Sequence, residues 1–376
     1  MDQDAFFVAV ELRKNPALIG KPVIVGGTSD RGVVTSCSYE ARKYGVHSAM
    51  PSGRARQLCP HAIFIRGNID AYSKASHEIT DMIRERVPLF EKASIDEHYI
   101  DMTGMDRFYN CMQYASELRA TIMKELRLPI SFGLSVNKTV AKMATNECKP
   151  NGEKNVRQDE VQSFLNPLSI RKIPGLGKKS FALLNELGIQ NIFALTQVEP
   201  DQLYTWMGRN GVRLLQKAKG IDNSPVVPYA EQKSIGTQCT FHADTLDIAL
   251  INTLLVSMVT DIAFQLREKK KLTACITVTI RYANFEDVSK QAMIPYTSLD
   301  GALILKARAL FKEVYQKRML LRLVGVGLSH LVNGFEQIDL YNKSEAQYSL
   351  MQAMDKIRRR FGEKAITRAS VVDLKL

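Results

Sequence analysis

Two short acidic clusters constrain this chain more than any other feature. The first, Asp2-Gln3-Asp4-Ala5-Phe6-Phe7, opens the sequence, and the second, Ser94-Ile95-Asp96-Glu97-His98-Tyr99-Ile100-Asp101, follows much later. Both set carboxylates in apolar, β-prone sequence, where a charge is costly unless something neutralises it. A fold that brings Asp2, Asp96 and Glu97 together must supply positive charge. Hard oxygen ligands suit Mg²⁺, which takes a few carboxylates plus substrate phosphates. Two such ions roughly 3.5–4 Å apart serve polymerases and nucleases. Either cluster alone reads equally well as surface acids at strand ends.

Asp96 and Glu97 are adjacent, so a regular strand would send them to opposite faces. They converge only at a turn or a bulge, where strands re-aim side chains. The flanks Ala93-Ser94-Ile95 and Tyr99-Ile100 are therefore expected as two short strands around a turn.

The chain has 376 residues, enough for two to four compact units, and a formal charge of +12 with a pI near 9.3. Such a basic excess points to a polyanionic partner, although a merely basic enzyme fits the charge as well. No run of eighteen apolar residues occurs, so no membrane span is expected. Residues 1–15 carry acids where a secretory leader would be basic and then apolar. Cys37, Cys59, Cys111, Cys148, Cys239 and Cys275 are scattered without a Cys-x-x-Cys pair, which disfavours zinc and suits a reducing cytoplasm. The six histidines show no ligand spacing.

Along the chain, a strand is expected to end in Phe6-Phe7-Val8-Ala9-Val10. Further strands fit Val23–Val25 and Val33–Ser36, around a Gly26-Gly27 turn. Helices fit 73–87, 108–126 and 138–148, with a strand at 130–135. This interleaving implies an α+β sheet with helices on one face. Residues 166–222 read as mostly helical. Within them, Ile173-Pro174-Gly175-Leu176-Gly177-Lys178-Lys179 reads as the turn of a helix–hairpin–helix. Its glycines permit a tight turn and leave N–H groups free at a helix start, where phosphate binds, although an ordinary connecting turn has the same pattern. Asp222–Pro228 is a linker candidate. Beyond it lies a second α/β unit, with strands at 275–282 and 320–328 and helices at 246–267 and 300–316. A last helix spans 343–362.

The quoted residues also carry a family resemblance. Asp2-x-Asp4-Ala5-Phe6-Phe7-x-x-Val10-Glu11 resembles the first motif of Y-family translesion DNA polymerases, and Ser94-Ile95-Asp96-Glu97-x-Tyr99-x-Asp101 resembles their second carboxylate motif. Ser38–Val46 with Ser48-Ala49-Met50-Pro51 is similar to the fingers segment. Ser135-Val136-Asn137-Lys138 through Lys142, with Lys149-Pro150-Asn151-Gly152, is similar to the end of the palm. The motifs occur in family order to about residue 340, nearest to the bacterial DNA polymerase IV group.

The resemblance implies a multi-domain right-hand polymerase of α+β class. Its palm would be residues 1–11 and 75–165, its fingers 12–74, its helical thumb 166–230 and its C-terminal little finger 231–334. A clamp-binding motif and a final helix would occupy 335–376. The implied reaction is DNA-templated nucleotidyl transfer. Asp2, Asp96, Glu97 and the Gln3 carbonyl would hold two Mg²⁺ ions. Ser36, Tyr39, Arg42 and Lys149 would contact the deoxynucleoside triphosphate. Phe7, beside Phe6, would exclude ribonucleotides as a steric gate, while small Val33 and Thr35 would roof the nascent pair and tolerate lesions. Gly175, Gly177 and Lys178 would meet the phosphates of primer-template DNA. Lys269, Lys270, Lys271, Arg281, Lys290, Lys317, Arg318 and Arg322 would reach its backbone, although most charge runs are solvated surface. Gln337-Ile338-Asp339-Leu340-Tyr341 resembles a sliding-clamp peptide, Gln337, Asp339, Leu340 and Tyr341 being its anchors. No exonuclease-like set of acids is present, so proofreading is not expected, and a cytoplasmic monomer is implied.

Two departures stand out. Family members carry apolar residues before the first motif, whereas this sequence starts at Met1-Asp2, which predicts Asp2 at a frayed end. His98 replaces a small or apolar residue and is expected to face solvent. A catalytically weak, clamp-bound DNA-binding protein and a metal-dependent nuclease remain as alternatives.

Overall fold

The computed structural model describes residues 1–229, 231–335, 344–363 and 365–371. They fall into two compact units, Met1–Ala230 and Glu231–Leu376.

In the first unit, β1 (Asp2–Gln3) is only two residues long and leads through Ala5, at φ 46°, into α1 (Phe6–Lys14). The strand expected through Phe6–Val10 is therefore a helix. A short apolar run fits a buried strand or a buried helix equally. Here the run continues into Glu11-Leu12-Arg13-Lys14, and its basic last turn suits a helix C-terminus. Phe6, Ala9 and Val10 bury one face of α1 in a core shared with Val23, Tyr72, Ile79, Ile83, Ile122 and Ile130.

β2 (Val23–Gly26), β3 (Val34–Cys37), α2 (Tyr39–Arg42), α3 (Ser52–Leu58) and β4 (Ile63–Ile65) form a small layer with strand order β3-β2-β4. It has its own core around Ile24, Val34, Ala41, Val46 and Ala55. Next come α4 (Ile69–Arg84), the hairpin β5 (Leu89–Lys92) and β6 (His98–Asp101), α5 (Cys111–Leu126), β7 (Ile130–Leu134), α6 (Lys138–Cys148) and β8 (Glu153–Asn155). The acidic turn is wider than expected. Pairing stops at Lys92 opposite His98, and the amides of Ala93 and Ser94 both donate to the Glu97 carbonyl, so 93–95 belong to the turn. β1 pairs antiparallel with β7, β7 pairs parallel with β8, and a single bridge from Asp2 to Glu97 ties in the hairpin.

α6 lies unusually close to β7. A side chain on Gly133 would run into the Ala141 carbonyl and come within 2.6 Å of the Ala144 side chain. Asn137 caps α6 by accepting from the Val140 amide at 3.0 Å.

α7 (Val161–Leu165), α8 (Lys178–Glu186), α9 (Ile192–Thr196), α10 (Pro200–Met207) and α11 (Arg209–Ala218) pack around Leu165, Ile170, Leu184, Ile192, Leu195 and Leu203. The expected linker that follows is irregular but tethered. Thr139 donates to Asp222 at 2.7 Å, and the Lys138 ammonium reaches the Pro225 carbonyl at 2.9 Å and Glu91 at 2.7 Å.

The second unit contains β9 (Ser234–Thr245), α12 (Ile248–Glu268), β10 (Lys271–Tyr282), β11 (Asp287–Thr297), α13 (Asp300–Val314), β12 (Leu321–Asn333) and α14 (Ser344–Phe361). The sheet is antiparallel in the order β11-β10-β12-β9. The two expected strands lie within β10 and β12, whereas β9 and β11 went unread. Both are largely solvent-exposed and polar, so the apolar alternation that marks a half-buried strand is weak in them. α12 is long and apolar enough, by length and composition, to cross a membrane. Its Ile251, Leu255, Val259 and Ile262 instead pack with Ile276, Val278, Val324 and Val326 in the core of this unit.

Candidate active site

Short-range geometry brings the two acidic clusters together. The Gln3 amide donates to the Asp96 carbonyl at 3.1 Å, and the His98 amide donates to the Met1 carbonyl at 3.0 Å. Asp2 also sits in register with Ser131 of β7. Asp2 is therefore not frayed; it is 5% exposed and held from both sides. Hydrogen bonding of the backbone, not place in the sequence, decides order at a terminus.

The positive charge that this cluster requires comes from α6 and the residue after it. The Lys142 ammonium is ion-paired to both Asp2 and Glu97. The Lys149 ammonium pairs with Asp2 and donates to the Gln3 carbonyl at 2.8 Å. Burial pushes the Asp2 carboxyl up, but Lys149 and Lys142 outweigh it and hold its pKa below the ordinary 3.8. Burial likewise disfavours the Lys142 ammonium, yet Asp2 and Glu97 raise its pKa above the ordinary 10.5. Asp96 is half-buried and accepts from the Ser94 hydroxyl at 2.6 Å. Among the described residues, no three Asp, Glu, His or Cys side chains are gathered closely enough to hold a metal ion.

A cleft of about 350 Å³ opens over these groups. It is lined by Asp2, Gln3, Phe6, Phe7, Thr35, Ser36, Arg42, Asp96, Glu97 and Lys149, as well as by Ala5, Ser48, Lys142 and Asn146. The first ten are the residues that the sequence motifs mark as site candidates. Phe7 stacks on Tyr72 with ring centroids 4.3 Å apart, which fixes its ring beside the cleft. Ser38 caps α2 by accepting from the Ala41 amide at 3.3 Å, which sets the direction of Tyr39 and Arg42.

Two expected residues stand apart from the cleft lining. Val33 is exposed beside Pro51, to which it forms a bridge. Tyr39 points its hydroxyl at Asp4, 3.4 Å away, under the Arg42 guanidinium. Burial first, and then Asp4, push the Tyr39 pKa up to about 12. Asp4 is itself a support: it accepts from Ser131 at 2.8 Å and from the Asn151 amide at 2.7 Å, anchoring the segment that follows Lys149.

His98 does not face solvent. It is 1% exposed, with Nε2 2.9 Å from the Thr80 hydroxyl, which itself donates to the Ser76 carbonyl. Nε2 therefore carries the proton, and Nδ1 is buried without a partner. Burial drives the His98 pKa down to about 3. Position 98 begins β6 with its side chain turned onto α4, a placement that a one-residue change of register would have reversed.

In the helical part of the unit, Gly175 has φ +91°, which a side chain would strain. Gly177 precedes α8 without a side-chain cap, leaving the first-turn N–H groups after it open to an anion. In the second unit, Lys271, Arg281, Lys290 and Lys317 of the expected DNA contacts pair with Glu231, Asp287, Glu313 and Glu286. Gln337, Asp339, Leu340 and Tyr341 lie outside the described residues.

Residues 1–146 match the impB/mucB/samB family, residues 158–189 the helix–hairpin–helix motif of the same family and residues 232–340 its C-terminal domain. A DNA polymerase IV of Dehalococcoides mccartyi is 35% identical over 379 aligned positions, covering 100% of this chain and 97% of that protein. The chain belongs to the DNA polymerase IV group of Y-family DNA polymerases. It is also 38% identical to the DNA polymerase IV of Streptococcus agalactiae over 90% of this chain and 95% of that one. Among solved structures, a chimera of the Y-family polymerases Dbh and Dpo4 superposes with a TM-score of 0.81 at 30% identity, covering 89% of this chain and 98% of the chimera. DinB from Sulfolobus solfataricus superposes at 0.60 with 30% identity, covering 89% and 98%. The mixed α+β fold of these Y-family DNA polymerases is that of this chain.

Lys142 and Asp4, to which the sequence motifs assign no role, are brought into this cluster by the fold. Lys142 lies on α6 seven positions before Lys149, the residue that follows the helix, and that spacing is the signal the sequence carries.

Proposed function

We propose that this chain adds deoxynucleotides to a primer 3′ end under template direction, with low fidelity and without proofreading, as a translesion polymerase. One observation carries the reading: Asp2, Asp96 and Glu97 share a cleft with Ser36, Arg42 and Lys149. Acids alone would suit a nuclease equally, but the hydroxyl, guanidinium and ammonium add donors for a triphosphate. Backbone pairing that ties Asp2 into the sheet supports this reading over a catalytically weak variant.

Asp2, Asp96, Glu97 and the Gln3 carbonyl are a hard-oxygen donor set, of which Asp2, Glu97 and the carbonyl already receive cationic ammonium groups, and this chemistry fits divalent cations. When bound there, two Mg²⁺ ions would lower the pKa of the primer hydroxyl and offset charge on the departing pyrophosphate. The protein's own share is positioning and charge. Arg42 and Lys149 would neutralise the triphosphate, Ser36 would donate to a phosphate oxygen, and Tyr39 would brace Arg42. Phe7, immobilised on Tyr72, would leave no room for a 2′-hydroxyl. Thr35 would lie lightly against the nascent pair.

Residues 1–11 and 75–165 would act as palm, 12–74 as fingers, 166–230 as thumb and 231–334 as little finger. The free amides after Gly177 would receive backbone phosphate, beside Gly175 and Lys178. Gln337–Tyr341 would tether a cytoplasmic monomer to the sliding clamp, substituting effective concentration for intrinsic grip. Labelled deoxynucleotides supplied with primer-template and Mg²⁺ test the reaction class. Primer lengthening with pyrophosphate release is expected. Shortening of the DNA without nucleotide would instead identify a nuclease.

A further inference from the structure

The reaction above gives Lys142 no task, yet this ammonium bridges two of the three carboxylates. It bonds Asp2 and Glu97 at once, and Asp2 has Lys149 on its other oxygen. The side chain springs from a helix that Gly133 lets down onto β7 and Asn137 caps, so its root is fixed. Its four-carbon stem is not, because lysine is a compact charge on a flexible tether.

An ammonium and a hard divalent cation compete for the same carboxylate oxygens. A cation can take Asp2 and Glu97 together only if the Lys142 ammonium leaves. A displaced ammonium next to a buried cation is costly unless fresh negative charge receives it. A triphosphate entering over Arg42 and Ser36 brings that charge. We propose that Lys142 is a built-in counter-ion of the carboxylate seat, holding Asp2 and Glu97 in place and excluding a divalent cation until a nucleoside triphosphate arrives to accept the displaced ammonium. This rests on the two-metal reading above and makes cation and nucleotide binding mutually dependent.

Mn²⁺ binding to the full chain without DNA, followed by electron paramagnetic resonance, tests it. In the wild type, Mn²⁺ alone binds weakly, and a non-hydrolysable deoxynucleoside triphosphate analogue tightens it at least tenfold. Lys142→Met binds Mn²⁺ alone at least tenfold more tightly than the wild type, and the analogue adds little. Lys142→Arg, which retains the charge, keeps the wild-type weakness. If removal of the charge leaves the fold unstable in chelator, Lys142→Gln gives the same comparison with a polar head. Circular dichroism confirms that each variant is folded. Lys142→Met or Lys142→Gln binding Mn²⁺ alone no more tightly than the wild type overturns the proposal while leaving the two-metal reading in place. Failure of the wild type to bind Mn²⁺ even with the analogue overturns that reading and the proposal together.

Discussion

Each unit of the molecule buries a charge cluster, and the two are built from different cations. In the first, Asp2 and Glu97 are held by Lys142 and Lys149, whose side chains are 17% and 18% exposed and border a cleft. In the second, the Arg267 guanidinium binds Asp355 through Nε and Nη2, and Asp300 and the Ser298 carbonyl through Nη1, all within 3.0 Å. There the side chains are 8%, 3% and 0% exposed for Arg267, Asp355 and Asp300, and Arg368 approaches Asp300 from beyond α14. Arginine offers a rigid fork that satisfies two carboxylates in one geometry, whereas lysine offers a single mobile charge. The second cluster is thus a strut joining α12, α13 and α14. The first is a seat whose occupants can change. Burial of charge does not by itself distinguish structure from function; the kind of cation and its access to a cleft do.

The largest effect should come from breaking the strut. Asp355→Ala strips Arg267 of its bidentate partner but leaves Asp300 on Nη1, and is expected to cost about 3 kcal/mol, the scale of losing buried hydrogen bonds between charged groups. Urea unfolding of the full chain would show this as an early transition of the second unit. A loss below about 1 kcal/mol would mean that α14 is held by its apolar contacts, such as Met351, alone.

His98 sharpens the comparison from the other direction, being a buried group near the seat that carries no charge. Its pKa is about 3 in the folded protein, against an ordinary 6.5. Below pH 6.5 the unfolded chain binds a proton that the folded one refuses, so stability falls with pH through this window. From pH 7 to 5, the wild type should lose about 2 kcal/mol more than His98→Gln. Asp2 acts lower: with its pKa depressed below 3.8, its contribution is present above that value and fades only as pH falls further. Equal acid sensitivity in wild type and His98→Gln would show that the ring gains a proton without unfolding.

The smallest effect is expected at Arg281–Asp287, a cross-strand pair that is bidentate but exposed. Arg281→Ala should change stability by no more than about 0.5 kcal/mol. If Arg281 meets DNA, the same variant should flatten the salt dependence of DNA binding by about one counterion.

What could be read from the sequence follows the same division. The acids of the seat were legible because carboxylates in apolar sequence demand an explanation, and the adjacency of Asp96 and Glu97 required a turn. α12, β10 and β12 were legible through apolar periodicity. α1 was not, since Phe6–Val10 has no period of its own and only the polar residues after it make it helical. His98 was not, because a single register choice decides whether it meets Thr80 or water. Lys142 was not, because a lysine on a helix is ordinarily solvated surface. Only its convergence with Asp2 and Glu97 in space gives it meaning.

The lysine-filled seat is the proposed catalytic centre. Single-turnover primer extension with Mg²⁺ and deoxynucleotides, comparing wild type with Asp96→Ala at matched DNA occupancy, tests it most directly. The Asp96 side chain is half-buried and bonded to nearby Ser94, so its truncation should leave the fold and DNA binding intact. The expected result is extension slowed by about a thousandfold or more. Extension by Asp96→Ala at a rate within a few-fold of the wild type would contradict the assignment of this cleft.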